Sequence, residues 1–148
     1  HERRPAIVAT FDPHPVRYFK PDVPPFRLTT LDQRERLFAG AGADATLVFA
    51  FDAGLAATMA EEFVRLLAED IGAAGVVTGE DFTFGARRGG NVQVLRELGA
   101  AHGMGAETVG AIQLDGAPVS SSRVREALAS GDPATATRLL TRPFAIEG

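Results

Sequence analysis

Four short apolar runs punctuate the chain, at 6–11, 45–51, 75–78 and 106–109. Each is too short for a helix and rich in β-branched or aromatic residues, so each predicts a strand. Between them the pattern changes to helical spacing. Thr30 with Gln33 predicts a capping box opening a helix over 31–41. Thr58 with Glu61 predicts another over 59–71, stopped by Gly72. Asn91 is placed to cap a helix over 92–102 that carries Val94, Leu95 and Leu98 as its apolar stripe and stops at Gly103. Two shorter helices follow at 121–130 and 133–140, the second opened by Asp132 as N-cap with Pro133 in the first turn. Strands alternating with helices, and apolar runs without polar alternation, predict strands covered on both faces in a parallel, doubly wound α/β sheet. No internal repeat interrupts this order.

A chain of 148 residues with 45% hydrophobic content has the size and composition of one soluble domain. No apolar stretch approaches the roughly 18 residues of a membrane span, and no secretory leader is visible, so the expected setting is the cytoplasm. The absence of cysteine excludes disulfides, thiolate metal sites and a cysteine nucleophile. A net charge of −4 argues against a nucleic-acid or acidic-membrane surface. It leaves room for local anion sites at Arg87-Arg88 and Arg123 to Arg125. No feature specifies an oligomeric state.

In open parallel sheets, ligands sit at the carboxyl ends of strands, and the conspicuous loops all fall there. They are Asp12-Pro13-His14-Pro15, Phe51-Asp52, the glycine-rich stretch 79–90, and Val119-Ser120-Ser121-Ser122-Arg123-Val124-Arg125. The last gathers hydroxyls and guanidinium groups where a helix begins. Helix N-termini offer N–H groups and a positive dipole end to anions, and Arg125, one turn in, can clamp a phosphate bidentately. Plain helix capping explains the serines equally simply. His14, between two prolines that resist a turn into helix, either faces a phosphate or hydrogen-bonds the loop backbone. With His1 and His102 as the other histidines, a histidine metal cluster is not expected.

The 79–90 loop carries Phe82 and Phe84 among glycines, a composition suited to backbone approaching a flat aromatic ligand. One ring would stack on the ligand while the other anchors the loop, and Asp81 would accept a hydrogen bond from ring or sugar. An ordinary aromatic-anchored loop is the alternative. Phe63 shares a helical stripe with Leu66 and Leu67, which core packing explains; Thr29-Thr30 reads most simply as a helix cap. There is neither a Walker loop, nor a dinucleotide fingerprint, nor a nucleophile elbow, nor a carboxylate pair for acid/base work.

Taken in order, these loops resemble the adenylyltransferase module of prokaryotic bifunctional riboflavin kinase/FAD synthetases over nearly the whole chain. Thr10-Phe11-Asp12-Pro13-His14-Pro15 resembles the family's TFDPHP signature, Leu28-Thr29-Thr30-Leu31 its (L/I)TTL, and Gly79 to Gly85 its G-x-(D/N)-F-x-F-G. Val119 to Arg125 resembles the ISSTxxR motif of the wider nucleotidyltransferase superfamily, with valine for isoleucine and Ser122 for threonine. The stretch 140–148 resembles the junction at which the family's kinase domain begins. The resemblance thus implies an FMN adenylyltransferase domain over 1–141 and a junction over 142–148, in a Rossmann-like fold of the nucleotidyltransferase type. The family's first β-α unit, with its G-x-F-D-G-x-H-x-G-H motif, has no counterpart among these residues. The expectation is an isolated segment that is inactive or very weak.

The resemblance further implies transfer of AMP from ATP to FMN, giving FAD and pyrophosphate, chemistry that needs alignment and charge stabilisation but no protein nucleophile. Ser120, Ser121, Ser122 and Arg125 would hold the ATP phosphates, with Arg125 and His14 as the catalytic candidates. Phe19, Phe63, Asp81, Phe82 and Phe84 would line the flavin site. Magnesium would screen the triphosphate, without a dedicated protein ligand. Two other readings stay open. One is an adenylyltransferase for another mononucleotide-like substrate, such as nicotinate mononucleotide or phosphopantetheine; the other is a non-catalytic flavin or nucleotide-binding module.

Overall fold

A computed structural model describes residues 4–22 and 27–147. Its elements form a mixed α/β fold with parallel strand pairs, and the chain divides into two compact units. Unit 1 comprises His1–Ala50 with Gln113–Gly148, and unit 2 comprises Phe51–Ile112.

In unit 1, β1 (Ile7–Asp12) and β2 (Ala45–Ala50) pair in parallel, with Phe11 opposite Phe49. Those two rings stack at 5.5 Å between centroids, the kind of cross-strand aromatic pair that fixes register. Helix α1 (Pro15–Phe19) follows β1, and α2 (Leu31–Gly40) packs against β2. Thr30 and Gln33 make the predicted capping box in full. Thr30 Oγ1 accepts from Gln33 N–H at 3.1 Å, and Gln33 Oε1 accepts from Thr30 N–H at 2.8 Å. The buried Gln33 side chain also donates to Ala145 O at 3.1 Å, and Arg36 pairs with Glu147, so the C-terminal stretch is fastened along α2.

The rest of unit 1 comes from the end of the chain. Helices α6 (Ser121–Ala129) and α7 (Pro133–Leu140) pack on each other. Val124, Ala127, Ala136 and Leu139 form their buried core, with Leu28, Leu114, Val119, Leu128 and Leu140 against it. Asp132 caps α7 as predicted, accepting from Thr135 N–H at 3.0 Å.

In unit 2, α3 (Ala53–Ala57) and α4 (Ala60–Arg65) precede β3 (Gly75–Gly79). A small antiparallel pair, β4 (Thr83–Phe84) with β5 (Gly90–Asn91), leads into α5 (Val92–Ala101) and β6 (Gly105–Val109), which is parallel to β3. In unit 1 again, β7 (Gln113–Leu114) and β8 (Ala117–Pro118) form a hairpin before α6. The unit 2 core holds Phe63, Val64, Leu67, Phe84, Val92, Leu95 and Met104. Asn91 caps α5 through Oδ1, which accepts from Val94 N–H at 3.0 Å.

Three expectations change. The capping box proposed for Thr58 and Glu61 does not form, because Thr58 is the C-cap of α3 and its hydroxyl donates to Gly54 O at 2.9 Å. Glu62 instead accepts from Met59 N–H at 3.1 Å, so α4 starts at Ala60 and widens into a π turn over Leu66–Asp70. The second change concerns burial, which alternates along β3 and β6 and leaves Val77 at 63% and Val109 at 58% exposure. Within each unit one helix packs on the strand pair, α2 on β2 and α5 on β6. Third, α1 forms over Pro15–Phe19, where the pattern of apolar positions predicts no element.

Candidate anion site and aromatic loop

The end of β1 is shaped by Pro13 and Pro15. A residue before proline is pushed to extended backbone, and His14 adopts it at φ −60°, ψ 139°. Extended backbone is what an N-cap requires, and Pro15 is preorganised for the first helical position. The histidine between the two prolines thus stays out of the helix and caps it. Its Nδ1 accepts from Val16 N–H at 3.1 Å, which leaves Nε2–H as the donor of the neutral ring. The backbone-bonding alternative is thus present at Nδ1.

Burial chiefly, then the charges of Arg125 and Arg34, hold the His14 imidazole below its usual pKa of 6.5. Two guanidinium groups from different helices therefore lie near one imidazole. Arg125 is on α6, and partial burial lowers its own pKa without threatening its charge. Arg34 is on α2, where Nη1 donates to Thr10 Oγ1 at 2.7 Å and Nε to Thr29 Oγ1 at 3.4 Å. Asp12, one turn of chain away, is engaged by Arg27.

The serine run divides by role. Ser120 is the N-cap of α6, its Oγ accepting from Arg123 N–H at 3.2 Å, whereas Ser121 and Ser122 are exposed in the first turn. Arg123 turns back: its Nη1 donates to Leu114 O at 3.2 Å and to Ala117 O and Pro118 O at 2.9 Å, tying the β7–β8 hairpin to α6. Of the two arginines in the motif, Arg125 faces His14 and Arg123 holds the fold. Arg34 was missed by sequence reasoning. Its signal was its place four residues after Thr30, on the helix that the Leu28-Thr29-Thr30-Leu31 motif opens.

The loop between β3 and α5 is built from rings. Phe84 is 7% exposed and Phe63 6%; their centroids lie 5.7 Å apart with a 40° tilt. Phe82 stacks on Phe84 at 5.7 Å and 14°, and is half-buried. Gly90, opposite Phe84 in the β4–β5 pair, has no room for a side chain, since a Cβ there would sit 2.5 Å from Phe84 Cζ. Phe84 is therefore the anchor and Phe82 the more accessible ring. Asp81 is exposed in the turn closed by Phe82 N–H to Gly79 O at 3.3 Å. Ala86 N–H donates to Thr58 O at 2.7 Å, so this loop rests on the end of α3. Phe19, at the end of α1 in unit 1, is 63% exposed and lies edge-to-face with Tyr18 at 5.1 Å.

The structure thus joins His14 and Arg125 in unit 1, and Phe63, Phe82 and Phe84 in unit 2. Among the described residues no helix is long and apolar enough to cross a membrane, and no cluster of three His, Cys, Asp or Glu could hold a metal ion.

Comparison with known proteins bears on what these two sites serve. The bifunctional riboflavin kinase/FMN adenylyltransferase of Pseudomonas fluorescens is 39% identical over 145 residues, covering 97% of this chain and 46% of that protein. The protein of the same name in Escherichia coli K12 is 37% identical with the same coverage, and that of Haemophilus influenzae is 32% identical. The chain spans just under half the length of these relatives. A crystal structure described as a macrolide-efflux protein from Streptococcus pneumoniae superposes with a TM-score of 0.79 at 24% identity, covering 95% of this chain and 45% of that one; it speaks for the fold alone. A family model for FAD synthetase matches residues 1–123, and with it the chain belongs to the FAD synthetase family.

Proposed function

We propose that this chain is the part of its protein that joins ATP to FMN. A phosphate oxygen of FMN attacks the α-phosphorus of ATP, the bond to the β-phosphate breaks, and pyrophosphate leaves with the electron pair, giving FAD. The observation that carries this reading is Arg34 of α2, bonded at 2.7 Å to Thr10 at the end of β1, with its charge and that of Arg125 both acting on His14. Guanidinium and imidazole donors fixed before reaction suit charge that moves onto a leaving pyrophosphate. In this reading Arg125 and His14 donate to the phosphates, exposed Ser121 and Ser122 add hydroxyls, and Ser120 holds the helix start that presents them. Phe82 offers an accessible ring face to the isoalloxazine, Asp81 accepts from it, and Phe84, packed on Phe63, supports Phe82. Magnesium belongs to the reading as counter-ion of the nucleotide phosphates.

The fold of this reading is the doubly wound, Rossmann-like nucleotidyltransferase sheet, in a cytoplasmic enzyme. Residues 1–141 form the adenylyltransferase part and 142–148 the junction to a riboflavin kinase domain. The test is FAD formation from ATP, FMN and magnesium by the full-length protein, with nicotinate mononucleotide and phosphopantetheine as competing acceptors. FAD alone should form. Preference for another acceptor, or flavin binding without turnover, would replace this reading by one of its rivals. The 148-residue segment assayed beside a chain extended upstream should make no detectable FAD; robust turnover by the folded segment would sink that expectation.

A further inference from the structure

The partners of Arg34 are two neutral hydroxyls, Thr10 at the end of β1 and Thr29 just before α2. They orient the guanidinium without offsetting its charge. The hydroxyls engage Nε and one hydrogen of Nη1, out of the five N–H groups a guanidinium carries. Its charge and that of Arg125 act on the same imidazole. Like charges gathered around one point cost stability, and a bound polyanion converts that cost into affinity.

We propose that Arg34 is a second anion-binding arginine of the His14–Arg125 site, held in aim by Thr10 and Thr29 and reaching the phosphate chain with its remaining N–H groups. The assignment rests on the phosphate-transfer reading for its substrate, though not for its chemistry, which is recognition of a polyphosphate. The geometry gives each member a different task. His14 caps α1 through Nδ1, Arg125 stands one turn into α6, and Arg34 comes from α2 with its fork fixed at two points.

Pyrophosphate is the probe, with binding followed by calorimetry on the full-length protein. Arg34→Gln should weaken pyrophosphate binding about tenfold or more, as loss of a charge-assisted pair does. Arg34→Lys should recover part of that loss. Thr10→Val, which removes a supporting hydroxyl but no charge, should stay within about threefold of wild type. In kinetics the Arg34→Gln loss should fall on ATP, with the KM for FMN unchanged. Equal losses for Thr10→Val and Arg34→Gln would assign Arg34 to holding the fold and overturn the proposal, as would wild-type affinity in Arg34→Gln.

Should Arg34→Gln not fold, the wild-type protein decides. The Arg34 Nε–H resonance, assigned by its disappearance in Arg34→Lys, should shift on titration with pyrophosphate, and a resonance that does not move overturns the proposal. Pyrophosphate binding that depends on Arg34 in a protein that makes no FAD would sink the adenylyltransfer reading and leave this inference standing. FAD synthesis with pyrophosphate binding indifferent to Arg34 would do the reverse.

Discussion

The loops that leave β1 and β3 perform the same topological task, carrying the chain away from the carboxyl end of a parallel strand, and they are held by different physics. The β1 loop is fixed by proline restriction, by the His14 cap and by Arg34 on two hydroxyls. Its polar side chains remain at the surface. The β3 loop is fixed by stacked rings, with Phe84 buried between Phe82 and the bare backbone of Gly90. The difference teaches that function and stability are separable in one unit and fused in the other. Removing a charge from the first loop leaves its backbone supports in place, whereas removing a ring from the second takes away core packing and, in the proposed function, flavin surface with it.

The largest effect belongs to the ring-held loop. Phe84→Ala should cost about 3–5 kcal/mol of stability, read from urea denaturation, and flavin affinity should fall with it. A destabilisation below about 1 kcal/mol would break the comparison by showing that the rings are not what holds this loop. Next comes Arg125→Ala, expected to raise the barrier to FAD formation by about 2–4 kcal/mol. Its urea midpoint and flavin affinity should barely change. Equal loss of ATP and FMN binding, or unaltered turnover, would restore a purely structural role.

Arg123→Ala sharpens the contrast from two residues away. Loss of its bonds to three carbonyl oxygens should cost about 1–2 kcal/mol of stability, as unpaired acceptors do, while turnover per folded molecule persists. If Arg123 and Arg125 substitutions cannot be told apart in these two measurements, the division of labour along α6 is wrong.

The smallest effect is the titration of His14. Its folded pKa lies below the ordinary 6.5, from burial first and then from Arg125 and Arg34. The fold therefore favours the neutral ring, and the stability it contributes is complete above pH 6.5 and is lost as pH falls through the lowered folded value. Histidine NMR should find that midpoint below 6.5, raised by Arg125→Ala and raised again by bound pyrophosphate. A midpoint at or above the ordinary value in the unliganded protein would remove the cationic cluster on which the site is built.

Much of this was legible in the residues because its causes are local. Strands appeared where apolar runs were short, and the caps at Thr30, Asn91, Ser120 and Asp132 stand where their side chains reach N–H groups three residues on. Helices of five residues were harder. Neither α1 nor α3 has room for a periodic stripe, and the hydroxyl of Thr58, read as the start of one helix, closes another. Motif resemblance identified the family because its loops carry residue types in fixed order.

By itself, then, the sequence determined the alternation of elements, their caps and the family, since each rests on neighbours within a few positions. Only tertiary structure decided which arginine serves which purpose. Arg34 meets a hydroxyl 24 residues away and Arg123 folds back onto a hairpin, while Arg125 reaches a histidine more than a hundred positions earlier in the chain. A guanidinium has the same chemistry in all three places, and the partner that the fold brings to it sets whether it binds, positions or holds.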